Sequence, residues 1–157
     1  MNKSEAYQWA IKRIRAQVLR HIDINATLGN TAAILKHCFP NFLWVGFYLV
    51  RSDHLLLGPF QGPPACVKLG LDRGVCAASV LRNETVLVPD VHQFPGHVAC
   101  DDRANSEIAV PVRTAGGSVV AVLDVDSGQP HDFDDEDVRG LQSIAFMLKD
   151  LFRVTDG

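Results

Sequence analysis

Two runs of residues joined by a glycine-rich turn constrain the fold of this chain more than any other feature. The runs are "EIAVPVRT", residues 107–114, and "SVVAVLDVDS", residues 118–127, and only "AGG" separates them. Both are rich in β-branched residues, and so short a connection joins antiparallel neighbours. A second pair, "FLWVGFYLV" (42–50) and "HLLLGPF" (54–60), repeats the pattern across three polar residues. The sequence therefore predicts an antiparallel sheet built from hairpins.

Apolar residues at helical spacing predict helices at both ends of the chain and one in the middle. The predicted helices cover residues 3–19, a segment from Asp23 or Asn25 to Pro40, a short helix from Val75 to Leu81, and a last helix from Asp132 or Asp134 onward. A further short strand is predicted near residues 85–88. Hairpin strands with helices gathered at the chain ends are typical of an α+β fold. We expect one α+β domain over residues 1–157.

The composition limits the class of protein. The chain has 157 residues, of which 47% are hydrophobic and 21% charged, and its net charge is −3. Without a basic excess, we expect no nucleic-acid partner. No apolar run approaches the ~18 residues of a membrane span, and no signal-peptide pattern opens the chain, so we expect no membrane association and a cytoplasmic location. In that compartment a disulfide is expected to be transient and catalytic.

One cysteine, Cys100, lies in a setting that is unusual for a free thiol. Free cysteines generally pack among apolar residues, whereas Cys100 is surrounded by charges within the long irregular run 89–106. Loops of this length in a compact domain are usually functional. His97 and Arg103 favour the thiolate that a nucleophile needs, whereas the two aspartates after Cys100 oppose it. We therefore expect a reactive thiol whose neighbouring acids serve a substrate that carries positive charge.

The other three cysteines differ in their expected roles. Cys66 and Cys76 lie in loop or loop-edge positions, so either is available as a disulfide partner. Cys38 falls on the apolar stripe of the second helix and is expected to be a buried structural thiol. A transition-metal site is an alternative that no CxxC or HExxH spacing supports, and its competent ligands are His92, His97, Cys100 and Asp101.

Three acidic residues are predicted to meet on one face of the sheet. Asp124 and Asp126 are two residues apart in a strand, so both project from the same face. Glu107 opens the partner strand, and counting back from the turn brings it level with them. Such a cluster can bind a divalent metal or an ammonium group, and it can equally be the end of a strand that frays into solvent. The spacing alone does not decide among these interpretations.

Six segments of the chain together resemble a known family. The segments are "WVGFYL", "LGPFQGPPAC", "RGVC", "DVHQFPGHVACD", "NSEI" and "VLDVDS". In this order they resemble those of the free methionine-(R)-sulfoxide reductases, which are built on a GAF domain, and the resemblance is strongest over residues 26–140. It implies a central antiparallel sheet with the terminal helices packed on one face and long loops closing a pocket on the other.

The resemblance also implies a reaction, the reduction of free methionine (R)-sulfoxide to methionine, with Cys100 as the catalytic cysteine. Cys100 would become a sulfenic acid, which Cys66 would resolve as an intramolecular disulfide. Cys76 matches an additional cysteine that takes part in recycling, and thioredoxin is the implied reductant. No metal and no cofactor are implied, and the habit of the family implies a homodimer.

The same resemblance assigns the residues that bind the substrate. Glu107, Asp124 and Asp126 match positions that hold its ammonium group and polarise its sulfoxide, and Trp44 matches the aromatic residue that lines the methyl pocket. In a peptide the ammonium is lost and the buried carboxylates stay unpaired, so only the free amino acid is expected to react. Two alternatives are a GAF sensory module that binds a small ligand without turnover and a metal-binding or thiol-based redox sensor.

Overall fold

The computed structural model describes residues 1–152 and shows four helices and six strands. The helices are α1 (Lys3–Leu19), α2 (Ile24–Cys38), α3 (Val75–Arg82) and α4 (Asp135–Leu148). The strands are β1 (Phe42–Val50), β2 (His54–Gln61), β3 (Lys68–Gly70), β4 (Val86–Val88), β5 (Ser106–Arg113) and β6 (Val119–Ser127). Single 3-10 turns lie at Val91–Gln93 and Lys149–Leu151. Within residues 1–152, none of the helices is both long enough and apolar enough to span a bilayer.

The six strands form one sheet in the order β3-β2-β1-β6-β5-β4, and every neighbouring pair is antiparallel. Both predicted hairpins, β1 with β2 and β5 with β6, are present. The α+β class is therefore confirmed. The central pair, β1 and β6, joins strands that are distant in the chain, so the two hairpins are combined into a single layer.

The main core lies between one face of the sheet and the helices α1, α2 and α4. Side chains of β1 alternate between the two faces of the sheet, because Val45 and Phe47 are fully buried on this face while Trp44 and Tyr48 point to the other. Two predicted helix starts are also confirmed, since Asp23 caps α2 and Asp134 caps α4. Cys38, expected to be buried, is only half-buried at the end of α2. This core leaves the opposite face of the sheet free for a site.

The packing of α1 on α4 depends on a glycine and a buried carboxylate. Asp137 is 1% exposed and accepts hydrogen bonds from the Tyr7 hydroxyl at 2.7 Å and the Lys3 ammonium at 2.8 Å. It also accepts from the backbone N–H of Asp134 at 2.9 Å, which completes a capping box. The Tyr7 ring is thereby fixed against Gly140, where a Cβ atom would lie 2.6 Å from the ring Cγ atom. Only glycine allows the two helices to approach this closely.

We predict that alanine has opposite effects at two helical glycines. Gly140→Ala should lower the free energy of unfolding by about 1–3 kcal/mol, because the Tyr7 ring cannot move away. Gly29→Ala in α2 is the matched control, since its new Cβ would meet Pro59 Cβ at an ordinary 3.9 Å. It should raise stability by up to about 1 kcal/mol through helix propensity. Thermal unfolding measures both effects, because each kcal/mol shifts the melting temperature of a domain of this size by about 2–4 °C. Melting-temperature shifts of equal size and the same sign in the two variants would contradict the prediction.

Candidate active site

A pocket lies on the face of the sheet opposite the main core. The short helix α3 and the loop between β4 and β5 cover this face, and they leave a cavity of about 50 Å³. Six of the seven residues predicted for the site line the cavity, namely Trp44, Cys76, Cys100, Glu107, Asp124 and Asp126. The seventh, Cys66, is bonded to Cys100. Tyr48, His97 and Arg73 line it as well.

The register of the strands brings the three acids together. Glu107 on β5 pairs with Asp126 on β6, and Asp124 lies two residues further along the same face. β1 completes this face, because Trp44 pairs with Asp126 and Gly46 with Asp124. The prediction that Glu107 lies level with the two aspartates is therefore confirmed, and a bulge between Val112 and Arg113 sets the exact pairing. The alternative of a frayed strand end is wrong, since Glu107 is 7% and Asp124 4% exposed and β6 continues to Ser127.

Burial gives these acids unusual protonation behaviour. Removal from water raises the pKa of Glu107 to about 8, and the negative charge of Asp126 adds to this rise. Burial likewise raises the pKa values of Asp124 and Asp126 well above their ordinary range, and repulsion from the neighbouring carboxylates adds to it. One atom of the cluster, Asp124 Oδ1, is buried without a hydrogen-bond partner among the described residues. The cluster thus favours either protons or a bound cation.

Cys76 belongs to this acidic cluster. It lies in the first turn of α3, at the edge of the preceding loop, and is buried with 4% exposure, so its position is less available for a disulfide than the sequence indicated. Its sulfur and one carboxylate oxygen each from Glu107 and Asp124 lie within 4.8 Å of one another. Burial, and then the charges of Asp124 and Glu107, raise the pKa of the Cys76 thiol well above its ordinary range. The thiol is therefore held in its protonated form.

Cys66 and Cys100 are joined by a disulfide that connects two loops. Their Cα atoms are 5.4 Å apart, and 34 positions of sequence separate the two residues. The Tyr48 hydroxyl donates a hydrogen bond to the Cys66 carbonyl at 2.8 Å, which ties the Cys66 loop to β1. Both cysteines are only half-buried, unlike Cys76. Of the two partners considered for Cys100, the structure pairs it with Cys66.

The charged residues around Cys100 are arranged differently from the prediction. Arg103 donates to both carboxylate oxygens of Asp101, at 3.0 and 2.7 Å, and this pairing holds the pKa of Asp101 at about 2. The charge of Arg103 is therefore directed at Asp101 rather than at Cys100. His97 instead turns toward the acids, with its Nε2 atom 3.7 Å from Glu107 Oε1, and burial lowers its pKa.

The transition-metal set considered from the sequence is not assembled. His92 is exposed and pairs with Asp90 at 2.9 Å, away from the pocket. Within residues 1–152, the one group of side chains with suitable spacing is a different set, Cys76, Glu107 and Asp124. Sequence patterns missed this group because α3 contributes one member and the β5–β6 hairpin the other two.

Trp44 forms the aromatic wall of the pocket. Its ring stacks on Phe60 at 5.3 Å and on Tyr48 at 5.9 Å between centroids. A Cβ atom at Gly46 would lie 2.8 Å from Trp44 Cη2, so glycine lets the indole lie flat on β1. Trp44 Nε1 has no hydrogen-bond partner among the described residues and is buried. The role of Tyr48 was missed, although its position on the same face as Trp44 was a usable signal.

Comparison with known proteins identifies the class of this domain. A family model described as a GAF domain matches residues 21–148. This match covers most of the chain and agrees with the antiparallel sheet and its covered pocket. The chain therefore belongs to the GAF domain family.

Individual relatives are more specific. The free methionine-R-sulfoxide reductase of Escherichia coli is 41% identical over 156 residues, which cover 99% of this chain and 94% of the relative. The protein of the same name from Saccharomyces cerevisiae is 31% identical, with 94% and 86% of the chains covered. Among solved structures, the X-ray structure of the Neisseria meningitidis free methionine-R-sulfoxide reductase in complex with its substrate matches with a TM-score of 0.90. The two sequences are 41% identical, and the match covers 95% of this chain and 89% of that chain. Within the GAF domains the chain thus belongs to the free methionine-(R)-sulfoxide reductase family, as its motifs indicated.

We predict that the buried acids make stability fall as the pH rises. The folded pKa of Glu107, about 8, lies above its ordinary value of 4.5, so between these pH values the folded state holds a proton that the unfolded state releases. Stability from this proton is complete below pH 4.5 and is lost as the pH rises through 8. The side chain of Glu107→Gln does not ionise, so the variant has no such loss of stability. The melting temperature of the variant minus that of the wild type should therefore rise by at least roughly 2–4 °C between pH 5 and pH 9.

The control is Glu84→Gln, which removes the same charge from an exposed position. Its melting temperature relative to wild type should change little over the same range. A Glu107→Gln difference that does not vary with pH would show that Glu107 is ionised in the folded protein throughout.

Proposed function

We propose that this protein reduces free L-methionine (R)-sulfoxide to L-methionine. The observation that carries the proposal is a disulfide between two half-buried loop cysteines at the edge of a pocket with buried carboxylates. A thiol pair of this kind supplies two electrons, and the carboxylates supply a binding site for an ammonium group. The family to which the chain belongs, and the names of its relatives, support the same conclusion.

The proposed reaction uses Cys100 as the nucleophile. Its thiolate attacks the sulfoxide sulfur, the sulfoxide oxygen is protonated and passes to Cys100, and methionine leaves with its sulfur reduced. Cys100 is then a sulfenic acid, which the Cys66 thiol attacks to form the disulfide and release water. The raised pKa of Glu107 supports this step, because an acid with a pKa of about 8 still holds a proton at neutral pH.

The proposed recognition of the substrate rests on the unpaired polar atoms of the pocket. Glu107, Asp124 and Asp126 would share two tasks, in which ionised carboxylates bind the ammonium group and a protonated carboxyl donates to the sulfoxide oxygen. Asp124 Oδ1 has no partner among the described residues, so a donor from the substrate would satisfy it. Trp44 and its stacked neighbours would receive the methyl group, and the indole N–H is available as a donor to the sulfoxide oxygen.

The proposed recycling gives the remaining cysteines different tasks. Cys66 would resolve the sulfenic acid, since it is the partner of Cys100 in the structure. Cys76 lines the same cavity and would act in later thiol exchange, more slowly because burial keeps it protonated. The proposed reductant of the disulfide is thioredoxin.

A disulfide cycle of this kind operates in a reducing compartment, which supports the cytoplasm as its location. The homodimer stays a prediction. The single domain over residues 1–157 is proposed from the single sheet that the described residues share.

We predict that turnover depends on Cys100 and not on Cys38. With thioredoxin, thioredoxin reductase and NADPH, the wild type should consume NADPH with free methionine (R)-sulfoxide and not with the (S) epimer. Cys100→Ser should abolish this consumption, since a hydroxyl cannot carry the redox step. Cys66→Ser should lower it by at least about tenfold while methionine still forms in a single turnover, because the sulfenic acid no longer finds its partner.

Cys38→Ser is the matched control, because Cys38 is free and lies on the helical side of the sheet. It should keep the wild-type rate. Binding of methionine sulfoxide without turnover, even with dithiothreitol, would contradict the proposal and favour a sensory GAF module.

We predict that the carboxylates select the free amino acid. N-acetylmethionine (R)-sulfoxide lacks the ammonium, so its kcat/KM with the wild type should be lower by about 10³-fold or more. Asp124→Asn should lower kcat/KM for the free amino acid by a larger factor than for the acetylated compound, so the discrimination shrinks. An unchanged ratio of the two kcat/KM values in Asp124→Asn would show that Asp124 does not bind the ammonium group.

A further inference from the structure

The acidic cluster contains a thiol that the proposed reaction uses only for recycling. Cys76 comes from α3, whereas Glu107 and Asp124 come from the neighbouring strands β5 and β6. One sulfur and two carboxylate oxygens from these residues lie within 4.8 Å of one another, and all three residues are buried. A thiol and two carboxylates that converge from separate elements are a set of metal-binding donors.

One unpaired oxygen of Asp124 is a second indication that this cluster accepts a ligand. Asp124 is 4% exposed, and its Oδ1 atom has no hydrogen-bond partner among the described residues. Buried carboxylate oxygens are generally paired, because an unpaired one loses the hydrogen bonds that water gave it. Asp124 lines the pocket, where a bound cation would satisfy this oxygen.

A histidine lies beside this cluster and is a candidate for the fourth ligand. His97 Nε2 lies 3.7 Å from Glu107 Oε1. Tetrahedral zinc with bonds of about 2.0–2.3 Å places neighbouring donors about 3.3–3.7 Å apart. The separation of His97 from Glu107 already has this value, and the donors of Cys76, Glu107 and Asp124 need to close by about an ångström at most. The His97 ring also has to move toward Cys76 and Asp124, because it lies outside the group whose donors are all within 4.8 Å of one another. The cavity of about 50 Å³ is large enough for one ion, since about 10–15 Å³ measured in the same way holds a water molecule.

We propose that this protein binds one Zn²⁺ ion through Cys76, Glu107, Asp124 and His97. On binding, the Cys76 thiol and the carboxyl groups of Glu107 and Asp124 release the protons they hold to solvent, and the sulfur and the carboxylate oxygens donate electron pairs to the ion. One thiolate, one imidazole and two carboxylates suit zinc, whereas Mg²⁺ and Ca²⁺ require six or more oxygen ligands. The site does not require the Cys100 thiol, so it is available in the disulfide form.

This site also has a consequence for activity, which rests on the proposed function. Glu107 and Asp124 cannot hold a zinc ion and the ammonium of methionine sulfoxide at the same time. Zinc should therefore inhibit the reductase in competition with its substrate, and free zinc would regulate the enzyme directly.

The test is a titration of the disulfide form with Co²⁺, which takes the same ligands as zinc and absorbs in the near ultraviolet when a thiolate binds it. In this form Cys38 and Cys76 are the two free thiols. We expect one Co²⁺ per chain with a thiolate charge-transfer band that Zn²⁺ abolishes and Mg²⁺ does not. Cys76→Ser should remove the band, and Cys38→Ser should leave it unchanged.

Two further variants separate loss of a ligand from loss of the fold. Asp124→Asn and Glu107→Gln keep the shape of the pocket and should each weaken Zn²⁺ binding by at least about tenfold. Glu84→Gln, at an exposed position, should leave it unchanged. Circular dichroism and melting temperature establish that each variant is folded. A folded disulfide form without the band, or a band that persists in Cys76→Ser, would overturn the proposal.

A turnover assay then tests the inhibition separately from the binding. Zn²⁺ should raise KM for methionine (R)-sulfoxide and leave kcat unchanged. If no sulfoxide is reduced, the proposed function fails while the cobalt band still decides whether the metal site exists. If turnover is present and Zn²⁺ lowers kcat without changing KM, the shared use of Glu107 and Asp124 is refuted.

Discussion

The gathering of three acidic side chains on one covered face of an antiparallel sheet, two of them buried and one half-buried, is the constraint on which the rest of the site depends. Glu107, Asp124 and Asp126 are held together by strand register, and removal from water disfavours their charged forms. Without a ligand such a cluster retains protons. A bound cation reverses this preference, because its charge offsets both the desolvation and the mutual repulsion. The same geometry that weakens the empty domain therefore gives it affinity for an ammonium group or a metal ion.

A fold can hold such a cluster only if its stability comes from elsewhere. In this domain the sheet separates the two requirements, because the helices α1, α2 and α4 bury the main apolar core on one face and the site occupies the other. Alternation along each strand makes the separation possible. In β6, for example, Leu123 and Val125 belong to the core while Asp124 and Asp126 point into the pocket. Site residues can change charge or ligand without disturbing the core.

The sequence was most informative where structure is decided locally. The hairpin turn sets strand register approximately, so counting from "AGG" placed Glu107 level with the stretch from Asp124 to Asp126. A bulge between Val112 and Arg113, which the count did not include, shifts the register by one residue and brings Glu107 opposite Asp126. It was least informative where packing joins distant segments. Cys66 pairs with Cys100 across 34 positions, and Cys76 packs into the acidic cluster. Both contacts depend on how the loops and α3 cover the sheet. No local pattern encodes that closure, and the family resemblance supplied the roles that spacing left open.

The different positions of the thiols follow from the same electrostatics. A nucleophilic cysteine must ionise, and negative neighbours in a buried site oppose ionisation, as the raised pKa of Cys76 demonstrates. On the proposed mechanism Cys100 avoids this by lying on a half-buried loop, where water reaches it and Asp101 is neutralised by Arg103. The acids can then bind the cationic end of the substrate while the reacting sulfur remains at the more exposed side of the pocket. Placing Cys100 deeper would improve contact with the acids and suppress the thiolate on which the chemistry depends.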